Sequence, residues 1–326
     1  MAWKWQSWLT KHSTQKNNLI FPKRILLQPK RIKKNIDGIF LLDKPLGFSS
    51  NQALQKVKWL FQAAKAGHTG TLDPLATGLL PICLGEATKF AQYVTDADKT
   101  YIATVKFGAT TTTGDAEGEV LRQAPVTFDL ATLKNTCHTF LGDIMQIPPM
   151  YSALKFEGKA LYEYARAGVE IERKARQVTI TKISVEDFAN EIATMTVTCS
   201  KGTYIRTLAE DIGKALGCGA HLIGLRRTET AGFMIAQAMT LENLIEKSTQ
   251  NAPLENLLRP VDAAIQNFPT LQLDQTSAFR LKQGQTVRTT NQTTSGEVRV
   301  YDEENHFLGL CLLEDGKIIP KRLGRV

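Results

Sequence analysis

From Gly38 onward the chain switches irregularly between two short periodicities, and this limits its fold more than any other feature. Tyr101, Ala103, Val105 and Phe107 share one face with Thr104 and Lys106 opposite, the period-two pattern of a half-buried strand. Leu54, Val57, Leu60 and Phe61 recur at helical spacing behind Ser49 and Ser50, either of which can cap that helix. Further strands are expected at 38–42, 79–84, 178–185 and 192–199, and a short helix at 86–94. Thr203 is expected to cap a helix reaching about residue 216, with Leu208 and Ile212 on its buried side. No strand–helix–strand rhythm connects these pieces, so the class is α+β rather than a doubly wound sheet. Pro253, Pro260 and Pro269 then break the pattern. Short strands at 298–301, 307–313 and 317–320 predict a compact β-rich domain after the break.

The chain has 326 residues, enough for one large domain and a small one, and its 43% hydrophobic content excludes a disordered protein. No apolar run approaches the ~20 residues of a membrane-spanning helix. The five cysteines are scattered without a CxxC pair, which argues against a disulfide scaffold and a zinc ribbon and for a reducing, cytoplasmic setting. Cys218 and His221 lack a second ligand pair, so a helix end with a buried thiol is expected there.

The net charge of +8 is unevenly spread. Residues 1–36 hold nine Lys and Arg and no acid, while the rest holds 31 basic and 32 acidic residues, a net of −1. A basic arm on a neutral body fits a nucleic-acid partner. The arm is read as a disordered tail; an RNA-gripping extension and an organelle leader are the alternatives.

The stretch Gly67-His68-Thr69-Gly70-Thr71-Leu72-Asp73-Pro74-Leu75-Ala76-Thr77-Gly78 carries the most chemical information. Its glycines permit close ligand approach, and Pro74 pushes Asp73 into an extended conformation. One carboxylate on a stiff, Gly-lined loop suits a nucleophile or general base; an Asx turn in a structural loop is the competing reading. A Walker A loop requires a Gly-Lys-Ser/Thr ending that is missing here. A phosphoryl-aspartate motif requires an acid where Gly67 stands. Both phosphate readings fail.

As it stands, the loop resembles the catalytic motif of the TruB family of tRNA pseudouridine synthases. The resemblance continues through Phe40-Leu41-Leu42-Asp43-Lys44-Pro45-Leu46-Gly47-Phe48-Ser49-Ser50 and Leu80-Pro81-Ile82-Cys83-Leu84-Gly85-Glu86-Ala87-Thr88-Lys89. Asp98-Lys99-Thr100-Tyr101 and Gln146-Ile147-Pro148-Pro149-Met150-Tyr151-Ser152-Ala153-Leu154-Lys155 follow in the family's order. Ser200-Lys201-Gly202-Thr203-Tyr204-Ile205-Arg206-Thr207-Leu208 and Leu225-Arg226-Arg227-Thr228 complete the set, so residues 38–235 match collinearly.

The resemblance implies a pseudouridine synthase fold, with a mixed central sheet and a catalytic cleft over 37–265, and a small C-terminal barrel resembling a PUA domain over 268–326. It implies that Asp73 is the catalytic aspartate acting on a flipped uridine at position 55, in the T loop of tRNA. No cofactor, metal or protein partner is implied, and a monomer is expected. Tyr101 would stack on the flipped base, although its place on an apolar strand face equally suits a core residue. His68 would contact RNA where the nucleotide has left, Tyr204 and Leu225 would line the uracil pocket, and core packing is the other reading of Leu225. Arg206 sits in the first turn of a helix, where the dipole disfavours a cation. Pairing with Asp73 would explain it; Glu210, one turn on, is the alternative partner. The loop Thr110-Thr111-Thr112-Thr113-Gly114-Asp115 departs from the family by lacking its first acid, which leaves that loop's role open. A non-catalytic tRNA-binding or tRNA-folding protein on the same fold is the second functional reading. A nucleoside hydrolase is the third.

Overall fold

The computed structural model describes residues 33–289 and 295–325, so the reading of the basic arm over residues 1–32 lies outside the described residues. The described residues ahead of Asp37 already contact the body. Lys34 bridges to Ala63, and Ile36 is buried in the main core.

Two sheets carry the architecture. The chain opens with β1 (Gly38–Lys44), α1 (Ser50–Phe61), β2 (Ala66–His68) and β3 (Ala76–Leu84). Next come α2 (Ala91–Asp96), β4 (Lys99–Phe107), the hairpin β5 (Ala109–Thr111) and β6 (Val120–Gln123), α3 (Leu130–His138) and β7 (Gly142–Gln146). The long pair β8 (Arg176–Ala189) and β9 (Ile192–Cys199) precedes α4 (Ile205–Ala215), β10 (Ala220–Thr230), β11 (Met239–Thr240) and α5 (Leu241–Thr249). These form a mixed ten-stranded sheet in the order β11-β1-β3-β10-β4-β9-β8-β7, with β2 on β3 and the short Phe233–Met234 strand on β10. The small sheet has the order β12 (Thr270–Gln272), β14 (Gly296–Tyr301), β15 (Phe307–Glu314), β16 (Lys317–Leu323) and β13 (Val287–Arg288), with α6 (Gln275–Lys282) beside it.

Local chemistry explains the elements nearest the cleft. Ser49, not Ser50, caps α1: its side chain accepts from the Gln52 amide while Gln52 reaches back to the Ser49 amide, a full capping box. β4 alternates as its sequence predicts, with Tyr101, Ala103, Val105 and Phe107 inward. β10 gave no strand signal in the sequence because it is central, and Ala220, His221 and Leu222 are buried in succession instead of alternating. Cys218 lies just ahead of this strand, and the His221 ring bonds to the Ala109 carbonyl at 2.9 Å. The expected helix at 86–94 is a 3₁₀ turn (Gly85–Lys89) followed by α2, and the Thr-rich loop at 110–115 begins inside β5. Thr203 does not cap α4; its hydroxyl donates to the Ser200 carbonyl, and Tyr204 takes the cap position without a side-chain cap bond.

The large sheet buries one apolar cluster under α1, α4 and α5, and a second beneath β1 and α2. Leu310 of the small sheet belongs to that second cluster, and Phe307 meets Phe90 edge-on at 5.5 Å. The five cysteines are free and buried. Among the described residues no helix is long and apolar enough to cross a membrane.

Candidate active site

The aspartate loop is tied down at both ends. The Leu72 amide donates to Ser50 Oγ at 2.7 Å, and that hydroxyl donates back to the Leu72 carbonyl at 2.9 Å. The Gly47 amide reaches the Pro74 carbonyl at 2.8 Å, and the Ala76 amide reaches the Asp73 carbonyl at 3.0 Å. The turn after β1 and the first residue of α1 therefore clamp the residues on either side of Asp73. The loop is also shorter than 67–78, because its two ends are the strands β2 and β3.

Beyond the loop, β3 runs parallel to β10, pairing Ala76 with Leu225 and Gly78 with Arg227. Gly78 has φ +101°, and a Cβ there would stand 2.3 Å from the Arg227 carbonyl oxygen, so only glycine allows this approach. β4 flanks β10 on its other side, with Tyr101 opposite Arg227. These pairings bring Asp73, Tyr101, Tyr204, Arg206 and Leu225 together in the lining of one cleft of about 570 Å³. His68, on β2, is not part of that lining. Tyr101 and Leu225 both pack on the main core and face the cleft, so their two readings describe different sides of the same side chains.

Arg206 faces Asp73 from α4. Its Nη2 lies 3.0 Å from Asp73 Oδ2, and its Nη1 lies 3.5 Å from Asp115 Oδ2. It also donates to the Thr113 and Tyr151 carbonyls at 3.0 and 2.6 Å. Among the described residues it makes no ion pair with Glu210, whose carboxylate lies beside Gly114. The Arg206 side chain is 6% exposed, whereas the Asp73 side chain is 41% exposed. The Thr-rich loop thus has a structural role, because it supplies the buried Asp115 and the Thr113 carbonyl that fix Arg206. Asp115 is itself held by the Thr113 hydroxyl and by the Glu117 amide at 3.0 Å.

Burial pushes the Asp73 carboxyl above its ordinary value; the Arg206 charge pulls it back, and Asp115 pushes it up again. Burial brings Lys44 down to about 8, against the attraction of Asp73. Lys99 also comes down to about 8, through burial and then the Arg227 charge. The same two causes lower His68, so its imidazole is neutral at neutral pH. Tyr101 and Tyr204 are both raised by burial.

Several residues around the cleft escaped sequence reasoning. Gln146 of β7 holds Tyr204 from both sides, accepting from its amide at 2.7 Å and donating to its carbonyl at 3.1 Å. Arg226 pairs with Asp43 through two bonds of 3.0 and 2.7 Å, joining β10 to β1. Arg227 is wholly buried. No sequence signal marks which of the two adjacent arginines turns inward, because β10 does not alternate. Among the described residues no group of three or more His, Cys, Asp or Glu is placed to hold a metal ion.

Solved structures share this architecture. A chain from a Cbf5-Nop10-Gar1 complex superposes with a TM-score of 0.68 at 24% identity, covering 88% of this chain and 84% of its own. A chain from an H/ACA RNP bound to a substrate RNA containing 2′-deoxyuridine gives 0.68 at 20%, covering 91% and 92%. The fold is that of the pseudouridine synthases. Residues 58–205 match the TruB family pseudouridylate synthase N-terminal domain, 206–266 the tRNA pseudouridylate synthase B C-terminal domain, and 269–323 the TruB C-terminal domain of pseudouridine synthase II. The tRNA pseudouridine synthase B of Methylobacillus flagellatus is 60% identical over 300 residues, 92% of this chain and 99% of that protein. Its counterpart in Pseudomonas paraeruginosa is 52% identical over 303 residues, 92% of this chain and 100% of that protein. The chain belongs to the TruB family of pseudouridine synthases.

Proposed function

We propose that this protein isomerises a flipped uridine at position 55, in the T loop of tRNA, to pseudouridine, with Asp73 as the nucleophile. The observation that carries the reading is the 3.0 Å pair between Asp73 and a buried Arg206, at the wall of a cleft that also exposes Tyr101, Tyr204 and Leu225. The Asp73 carboxylate adds to the anomeric carbon or to the uracil ring, and the bond from C1′ to N1 breaks. The base then turns in place, C1′ bonds to C5 as the bond to Asp73 breaks and returns the free carboxylate, the C5 proton departs and N1 takes one up. Atoms and charge balance without a redox step, so one carboxylate is sufficient and no cofactor is required.

Arg206 has two duties in this reading. Its charge favours the ionised Asp73 against the burial that opposes it. Its bonds to two backbone carbonyls keep the guanidinium in place while the carboxylate moves between bonded and free states. Tyr101 stacks on the uracil, while Tyr204 and Leu225 close the pocket around it. His68, outside the lining, contacts the RNA at the position vacated by the flipped nucleotide. The small sheet over 268–326 is assigned to RNA binding as a PUA-like domain, and the working unit is a single chain.

Incubation with unmodified tRNA and mapping of pseudouridine tests the reading. One pseudouridine in the T loop supports it. Tight binding or refolding of tRNA without any modified base would establish the non-catalytic alternative. Release of free uracil would establish a hydrolase.

A further inference from the structure

Arg227 is the largest wholly buried side chain among the described residues, and among them no carboxylate lies within ion-pairing distance of it. A buried guanidinium without a counter-charge is costly, and a packed apolar residue of similar size would normally be more stable there. Its hydrogen bonds point to the cleft. Nε donates to the Leu79 carbonyl on β3 at 2.7 Å, and Nη2 donates to the Gly70 carbonyl, at the entrance to the aspartate loop, at 3.2 Å. Nη1 is buried without a hydrogen-bond partner. It lies 3.2 Å from where a Cβ on Gly70 would stand, so the loop rests directly on the guanidinium. Tyr101 is its partner in register on β4, and the Tyr101 phenol interacts with the same group.

We propose that Arg227 is a positioning residue for this cleft: its planar fork sets the loop carrying Asp73 and the Tyr101 ring at fixed separation from below. The inference rests on the reading of Asp73 and Tyr101 given above. Its donors reach β3 and the loop at once while it stands in register with Tyr101 on β4, and only a guanidinium presents rigid donors that way. Lysine would keep the charge and lose the fork. The charge has a second consequence, since it opposes protonation of Lys99 in the cleft lining and of His68 and Lys44 outside it.

The test compares single-turnover pseudouridine formation and tRNA binding in the wild type, Arg227→Lys, Tyr101→Phe and the double variant. Arg227→Lys should bind unmodified tRNA within about threefold of wild type and react roughly 10- to 100-fold more slowly, the penalty expected for misplaced reacting groups. The double variant should be no more than about threefold slower than the slower single variant, because both changes disturb one contact. A wild-type rate for Arg227→Lys, penalties that multiply, or binding that falls in step with rate would each overturn the proposal. If Arg227→Lys fails to fold, Gly70→Ala crowds Nη1 from the loop side. It should slow the reaction while sparing binding, and a wild-type rate there overturns the proposal. A wild type that forms no pseudouridine removes the functional reading and this inference together. An active wild type beside an unimpaired Arg227→Lys removes this inference alone.

Discussion

The small sheet fills its interior with Leu271, Val298, Val300, Leu308, Leu313 and Ile318, and none of its described residues is a buried charged or polar side chain. The large sheet has a bigger apolar core, yet around its cleft it also buries Lys44, Lys99, Asp115, Arg206 and Arg227. Removing such ions from water costs several kcal/mol each unless partners compensate. The small sheet carries none of that burden and is shaped by packing. The cleft region is shaped by where its charges must be held.

The contrast predicts that substitutions in the two regions fail in different ways. The largest effect should come from Asp73→Asn, which keeps the shape but cannot attack. Turnover should fall by at least about a thousandfold while tRNA binding holds, and activity within tenfold of wild type would end the nucleophile assignment. Arg206→Gln should follow, with a loss of roughly 10²- to 10³-fold at neutral pH. Its pH profile gives a sharper test. Arg206 lowers the Asp73 value, so its removal raises that value and moves the acid limb of the rate profile to higher pH. An unmoved limb would assign Arg206 to structure alone.

Ile318→Ala, in the small sheet, should show the opposite behaviour. Stability should drop by about 2–4 kcal/mol through the cavity left behind, with the rate at saturating tRNA unchanged. A selective loss of rate in a stable Ile318→Ala protein would break the comparison. The smallest effect concerns Lys44. Folded, its ammonium titrates at about 8 against an ordinary lysine value of 10.5, so between those values the unfolded chain binds more protons and wild-type stability rises with pH. Lys44→Met should remove this slope of at most about 1.4 kcal/mol per pH unit, as denaturant titrations at about pH 8 and pH 10 would show.

The same contrast decides what the sequence revealed. The strand at 298–301 follows from alternation, with Val298 and Val300 on its dry face, those at 307–313 and 317–320 follow from short apolar runs between turns, and all three lie within β14, β15 and β16. Asp73 was singled out by the family resemblance of its Gly-lined loop, whose residues alone suited an Asx turn equally, and Arg206 by its place against a helix dipole. Arg227 and Lys44 break no local expectation. A buried cation looks like a surface cation in a string of letters, and only the pairing of β10 with both β3 and β4 turns Arg227 inward. For Ser50 the residue type was legible and its use was not. A serine at a helix start suggests a cap, while here its neighbour caps and Ser50 holds the loop.

The parallel pairing of β3 with β10 also gives the cleft a history. Thr77 Oγ1 meets the Leu225 carbonyl at 3.4 Å across 148 residues of chain. At a synthesis rate of roughly 5–20 residues per second, the aspartate loop leaves the ribosome about 7 to 30 s before the strand that completes its wall. For most of that interval Asp73 is present with neither its guanidinium nor the floor beneath it, because α4 precedes β10 by only a few residues. On the proposed reading of Asp73, a chain halted anywhere before β10 therefore carries the nucleophile without the cleft in which it would work.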